Sequence, residues 1–114
     1  MGNPVIHVEV LGKDAPGLQR FFSTVFDWTL DTSNPNGYGM TDAADTGAVV
    51  GIGSPPEGAP GHVTFYVRVA DIDRTLEKAT QAGGSVIMPK FSPGAGAILA
   101  LVADPEGHVI GLTE

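Results

Sequence analysis

The chain repeats itself about once per half-length, and no other feature limits its fold so strongly. Near the N-terminus, Val5-Ile6-His7-Val8-Glu9-Val10 runs through Asp14 into Leu18-Gln19-Arg20-Phe21-Phe22. In the second half, His62-Val63-Thr64-Phe65-Tyr66-Val67 runs through Asp71 into Arg74-Thr75-Leu76-Glu77-Lys78. Each copy reads as an alternating strand, an Asp helix cap, a short helix and then further strands. A unit this long that occurs only twice points to two fused modules rather than a solenoid. The expectation is an α+β fold of two tandem βαβββ modules forming a curved mixed sheet around a cleft.

The periodicity places the elements. Residues 4–11 alternate, with Ile6, Val8 and Val10 on one face and Val5, His7 and Glu9 on the other. Asp14 suits an N-cap, and Pro16 falls in the first helical turn, where its missing N–H costs nothing. Leu18, Phe21, Phe22, Val25 and Phe26 recur at helical spacing and predict an apolar stripe facing a sheet. Trp28 is expected to begin a strand, followed by a turn at Ser33-Asn34-Pro35-Asn36-Gly37 and strands near 37–42 and 47–53. The Pro- and Gly-rich stretch 54–61 reads as the linker between a first module, 1–53, and a second, 62–114. In the second, Asp71 caps a helix ending at Gly83-Gly84. Strands are expected at 85–88 and 97–103, with a loop at 89–96 between them. Asp104-Pro105-Glu106-Gly107 then turns the chain into a last strand, 108–113.

Composition narrows the function classes. Thirteen acidic against six basic residues give a net charge of −7, and no Lys/Arg cluster exists to neutralise phosphates. Nucleic acid and anionic membrane surfaces are therefore excluded as partners. The absence of cysteine removes disulfides, thiolate metal sites and a cysteine nucleophile. No basic-then-apolar leader opens the chain, and no apolar run approaches the ~20 residues of a membrane helix, so a cytoplasmic location is expected.

A set of short motifs in fixed order carries a resemblance. They are Phe21-Phe22-Ser23-Thr24-Val25-Phe26-Asp27-Trp28, Val69-Ala70-Asp71-Ile72-Asp73, Gly83-Gly84 and Ala103-Asp104-Pro105-Glu106-Gly107-His108-Val109-Ile110-Gly111-Leu112. With them the chain resembles the vicinal oxygen chelate superfamily, which includes glyoxalase I, bleomycin-resistance proteins and extradiol dioxygenases. The likeness is nearest to its glyoxalase-related branch of undetermined activity. In the metal-dependent members, the first and last strands of each module supply one cavity-facing ligand each. The resemblance puts His7 on the first of these positions. His7 precedes Asp14 by seven residues, and the residue seven before Asp71 is Thr64, so Thr64 rather than His62 takes the second. Gly51 and Gly111 fall on the last-strand positions, where the metal enzymes carry carboxylates. A single side-chain ligand is no site for a divalent ion. The resemblance therefore implies no metal, no other cofactor and no glyoxalase I activity.

What remains is a polar stripe. His7 and Glu9 share one face at i, i+2, and suit a proton-handling pair that would act as base and orienter. His62, Thr64 and Tyr66 form the matching row of the second module and are expected to contact a ligand, with Tyr38, Met40 and Phe91 as further lining residues. Phe91, in the expected loop, would serve as a lid. His108, beside a tight turn, reads as an exposed hairpin residue. Two functions stay open. One is metal-independent acid–base chemistry of the lyase or isomerase type on a small molecule. The other is non-catalytic sequestration of a drug or metabolite, as the bleomycin-resistance proteins perform. A homodimer is expected in either case, since family members often dimerise and open sheet edges favour pairing.

Overall fold

The computed structural model describes every residue except positions 1, 35 and 95. In chain order the elements are β1 (Val5–Leu11), α1 (Ala15–Phe26), β2 (Gly39–Met40), α2 (Ala43–Thr46), β3 (Val49–Gly53), β4 (His62–Arg68), α3 (Ile72–Gln81), β5 (Ser85–Gly94), β6 (Ala97–Ala103) and β7 (Val109–Thr113). Helices and mixed strand pairings make this an α+β protein. It falls into two compact units, one of His7–Val63 and one of Thr64–Glu114 together with the N-terminal residues up to Ile6. Among the described residues, no helix is long and apolar enough to cross a membrane.

In the first unit, Asp14 Oδ1 accepts from the Gly17 amide at 3.0 Å and starts α1 as a capping residue should. The helix ends at Asp27, which adopts a left-handed φ of 59°. The helical crossover brings β3 back parallel to β1, with His7 opposite Val49 and Glu9 opposite Gly51. β2 pairs antiparallel on the other side of β3, giving the order β2-β3-β1. The core is the non-polar face of these strands, Val10, Val50 and Ile52, covered by Val8, Leu18, Phe22, Trp28 and Leu30. Ile52 is wholly buried, a contribution of about 1.5–3 kcal/mol from its side chain.

Two expectations are corrected here. Trp28 does not begin a strand. The left-handed Asp27 folds the chain back, and the Trp28 ring stacks on Phe22 at 5.7 Å and lies 5.3 Å from Phe26. The expected strand shrinks to one bridge, Asp31 to Met40. Nor does the whole aromatic stripe of α1 face inward, since Phe21, Val25 and Phe26 stay more than half exposed. The short helix α2, capped by Asp42 onto the Ala44 amide, went unforeseen.

The second unit keeps the βαβββ order in full. Asp71 Oδ1 accepts from Arg74 N at 3.1 Å to cap α3, and Gly83, at φ +98°, ends it. β7 runs parallel to β4 and antiparallel to β6, and β5 closes the order β4-β7-β6-β5. Val69, Ile72, Leu76, Ala100, Val102 and Leu112 form its core. Asp104 Oδ1 accepts from Glu106 N and His108 N, both at 2.9 Å, and so builds the turn into β7.

The expected loop at 89–96 is the third correction. β5 continues through it to Gly94, with Phe91 paired to Leu99. Pro89 and Pro93 are tolerated because β5 is an edge strand, bonded among the described residues to β6 alone, where a missing N–H can face away from the ladder. Three register shifts absorb the misfit. Phe91 is thus a strand residue rather than the tip of a lid.

Candidate functional site

Strand alternation puts His7 and Glu9 on the face of β1 opposite Val8 and Val10, so both rise from a rigid element. Tyr38 reaches them from the turn before β2. Asn34 shapes that turn: its Oδ1 accepts from Asn36 N at 3.2 Å and Tyr38 N at 2.9 Å, and its Nδ2 donates to the Tyr38 carbonyl. Gln19 ties the turn to the sheet, since its Nε2 donates to Gly37 O and to Ile52 O, each at 2.9 Å. The Tyr38 ring then lies flat across the glycines of β3. A Cβ on Gly53 would meet Tyr38 Cδ1 at 2.6 Å, and one on Gly51 would meet Cε2 at 2.5 Å and collide with the hydroxyl. The ring also stands nearly parallel to the His7 imidazole, 9° between planes at 6.2 Å.

The result is a continuous hydrogen-bonded row. His7 Nε2 lies 2.8 Å from Tyr38 Oη, Tyr38 Oη donates to Glu9 Oε2 at 3.0 Å, and Glu9 Oε1 lies 3.0 Å from His62 Nε2. Proton counting sets the directions. A carboxylate only accepts, so the one phenolic proton and a His62 N–H both point at Glu9. Tyr38 has no second proton to give, so His7 must donate from Nε2, which assigns its tautomer. Burial pulls the His7 pKa below its usual value, and the neighbouring Glu9 only partly opposes this. His7 is therefore a neutral imidazole at pH 7. Glu9 is well covered, with 14% of its side chain exposed.

The structure thus gathers four of the anticipated residues, His7, Glu9, His62 and Tyr38, within the first unit. The others make different commitments. Thr64 is buried and its hydroxyl donates to Val109 O. Tyr66, also buried, sits opposite Gly111 in the β4–β7 ladder, and a Cβ there would meet Tyr66 Cγ at 2.6 Å. Met40 pairs with Gly51 and lines a separate surface hollow with Leu30, Thr41 and Asp42. Phe91 lies on β5. His108 is exposed and bonds Asp104 Oδ2 at 3.0 Å, as a hairpin residue would. Sequence reasoning gave Tyr38 only a lining role and passed over Asn34 and Gln19. The available signals were the Gly37-Tyr38-Gly39 triplet and the Gly51-x-Gly53 floor.

The ligand set implied for a metal does not fit these residues. Two positions are glycines, and the space their carboxylates would need is filled by the Tyr38 and Tyr66 rings. Thr64 has already committed its hydroxyl. Among the described residues, no group of three or more His, Cys, Asp or Glu side chains is disposed to hold an ion.

Comparison with known proteins agrees with the architecture. Residues 7–113 match the sequence pattern of the glyoxalase-like domain. The Mycobacterium tuberculosis protein CFP32, whose name carries the word glyoxylase, is 30% identical over 112 residues. That match covers 92% of this chain but 43% of CFP32, so the chain spans less than half the length of this curated relative. Among solved structures, a glyoxalase/bleomycin resistance protein/dioxygenase superfamily member from Vibrio splendidus superposes with a TM-score of 0.66, 19% identity and coverage of 98% of this chain and 97% of the other. The methylmalonyl-CoA epimerase of M. tuberculosis gives 0.69 at 14% identity, over 96% and 86%. At such identities these two speak for the fold alone. With its pattern matched over nearly the whole chain, this protein belongs to the glyoxalase-like domain family.

Proposed function

We propose that the protein binds a small carbonyl-bearing molecule and moves a proton on it without metal assistance, as an isomerase- or lyase-type enzyme. The observation that carries this reading is the row His7–Tyr38–Glu9–His62. It sets a neutral N–H donor and a carboxylate acceptor on either side of one oxygen position. A carboxylate with its second oxygen held by His62 keeps a fixed orientation, which proton abstraction next to a carbonyl requires. A neutral imidazole N–H can then hydrogen-bond the enolate oxygen that develops. That methylmalonyl-CoA epimerases share the fold accords with this class of reaction and identifies no substrate.

The test is exchange of the α-hydrogen of small 2-oxo and 2-hydroxy acids, aldehydes and thioesters in deuterated water, followed by proton NMR. Wild type should speed exchange on at least one of them. His7→Ala and Glu9→Gln should each lower that rate about 10²–10⁴-fold, the usual range for a general acid or base. Exchange that persists unchanged in both variants refutes the reading. Ligand binding with no exchange in any variant leaves sequestration as the function instead.

A further inference from the structure

We propose that Tyr38 is a displaceable internal occupant of this site, and that the site takes planar small molecules whose enol or phenol hydroxyl replaces the Tyr38 hydroxyl between His7 and Glu9. The inference rests on the site proposed above and names the class of ligand it holds.

Three observations converge on it. First, the inward-facing atoms are in use: His7 Nε2 and Glu9 Oε2 both bond Tyr38 Oη, at 2.8 and 3.0 Å. A ligand that engages those two atoms must take the place of that oxygen. Second, the position is selective. Its occupant must accept from an N–H and donate to a carboxylate through a single oxygen, as a hydroxyl on an sp² carbon does. A carbonyl oxygen accepts from His7 but offers Glu9 no proton, so the site holds the enol of a carbonyl compound in preference to its keto form, and an apolar group would leave both half-buried partners unsatisfied. Third, the slot is shaped for a flat ring. Gly51 and Gly53, two apart on β3, present no side chain on this face, and the Tyr38 ring lies directly on them.

The same features make Tyr38 a mover rather than a core residue. It is half-buried, lies outside any strand, and stands between Gly37, at φ +69°, and Gly39. The backbone of its turn is held by Asn34 and Gln19, so the displacement proposed is a rotation of the side chain on a fixed backbone. Tyr66 makes an informative contrast, because it occupies the equivalent place over Gly111 as a buried strand residue.

The experiment is a titration with para-nitrophenol, with nitrobenzene as the hydroxyl-free control, at a pH near the free phenol's own pKa. Wild type should bind the phenol and bleach its phenolate band, because Glu9 requires the protonated form, while nitrobenzene should bind at least tenfold more weakly. Tyr38→Phe keeps the ring but lacks the hydroxyl that holds it in place, and should bind para-nitrophenol about tenfold more tightly. Tyr38→Ala should do so as well. Equal affinity in wild type and Tyr38→Phe overturns the proposal, as does binding to Tyr38→Ala alone, which would make Tyr38 a fixed structural part. If binding is indifferent to Tyr38 but lost in His7→Ala and Glu9→Gln, only the displacement fails and the site stands. Binding indifferent to all three positions removes the site itself, and absence of binding to every variant removes the ligand class.

Discussion

Gly51→Ala is the smallest change that tests how the site is held together. The backbone at this position tolerates alanine, since Gly51 is not among the positive-φ glycines. The added methyl would instead collide with the Tyr38 ring and hydroxyl, so the ring must leave. With it go one hydrogen bond to a neutral imidazole, worth about 1 kcal/mol, and one to a carboxylate, worth about 1.5–3 kcal/mol. Both lie in a half-buried setting, so about 2–3 kcal/mol is the expected cost. At ~2.1 cal/mol/K per residue, the unfolding entropy of a chain this size is roughly 240 cal/mol/K, and the melting temperature should fall by about 8–12 °C. The assay is a double-mutant cycle with Tyr38→Ala, read by urea and thermal unfolding. In the Tyr38→Ala background, Gly51→Ala should cost nothing, or stabilise slightly, because glycine in a strand interior is itself unfavourable. The coupling should therefore reach about 2 kcal/mol. Additive costs would show that the methyl acts on something other than Tyr38, and the glycine-floor argument would fall.

Two further outcomes follow from the same geometry. Burial depresses the folded-state pKa of His7 below its ordinary 6.5, so as pH falls through about 6.5 the unfolded chain takes up the proton first and stability is lost. His7→Gln should remove that loss, and urea midpoints at about pH 7.5 and about pH 5.5 should converge for the variant while wild type drops. Asn34→Ala strips the contacts that shape the Tyr38 turn and should cost about 1–2 kcal/mol. Hydrogen exchange should quicken at the Tyr38 amide and stay unchanged along β6 and β7; uniform acceleration would refute a local role.

Legibility tracked the kind of interaction involved. The repeat, both Asp caps and the Asp104–Gly107 turn were readable because caps, turns and period-2 strands depend on neighbours in sequence. The failures are tertiary. Pro89 and Pro93 argue for a loop anywhere except an edge strand, and nothing local says that β5 is one. Trp28 has a strand former's composition, but its stacking on Phe22 outweighed that preference. At the candidate site, alternation along a single strand was enough to put His7 and Glu9 on one face. Their link to Tyr38 spans about thirty residues, and that to His62 more than fifty, so no periodicity could announce them.

The repeat also explains what the two units have in common and where they part. Glu9 and Tyr66 both lie five residues before a capping Asp, and each faces a glycine across a parallel ladder, Gly51 or Gly111. In both units a tyrosine ring fills the room that the glycine leaves. The source of the ring differs. In the second unit it belongs to the strand residue itself, so the space is closed by a buried side chain that rises from a paired strand. In the first unit the strand residue is a carboxylate, and the ring comes from a turn flanked by glycines. One arrangement is permanent packing, since opening it would expose core. The other joins ionisable groups through a side chain outside any strand, which the proposed displacement would release at the cost of two hydrogen bonds that a ligand hydroxyl would restore. The proposed chemistry therefore falls to the first unit, and the second unit's tyrosine is its structural counterpart.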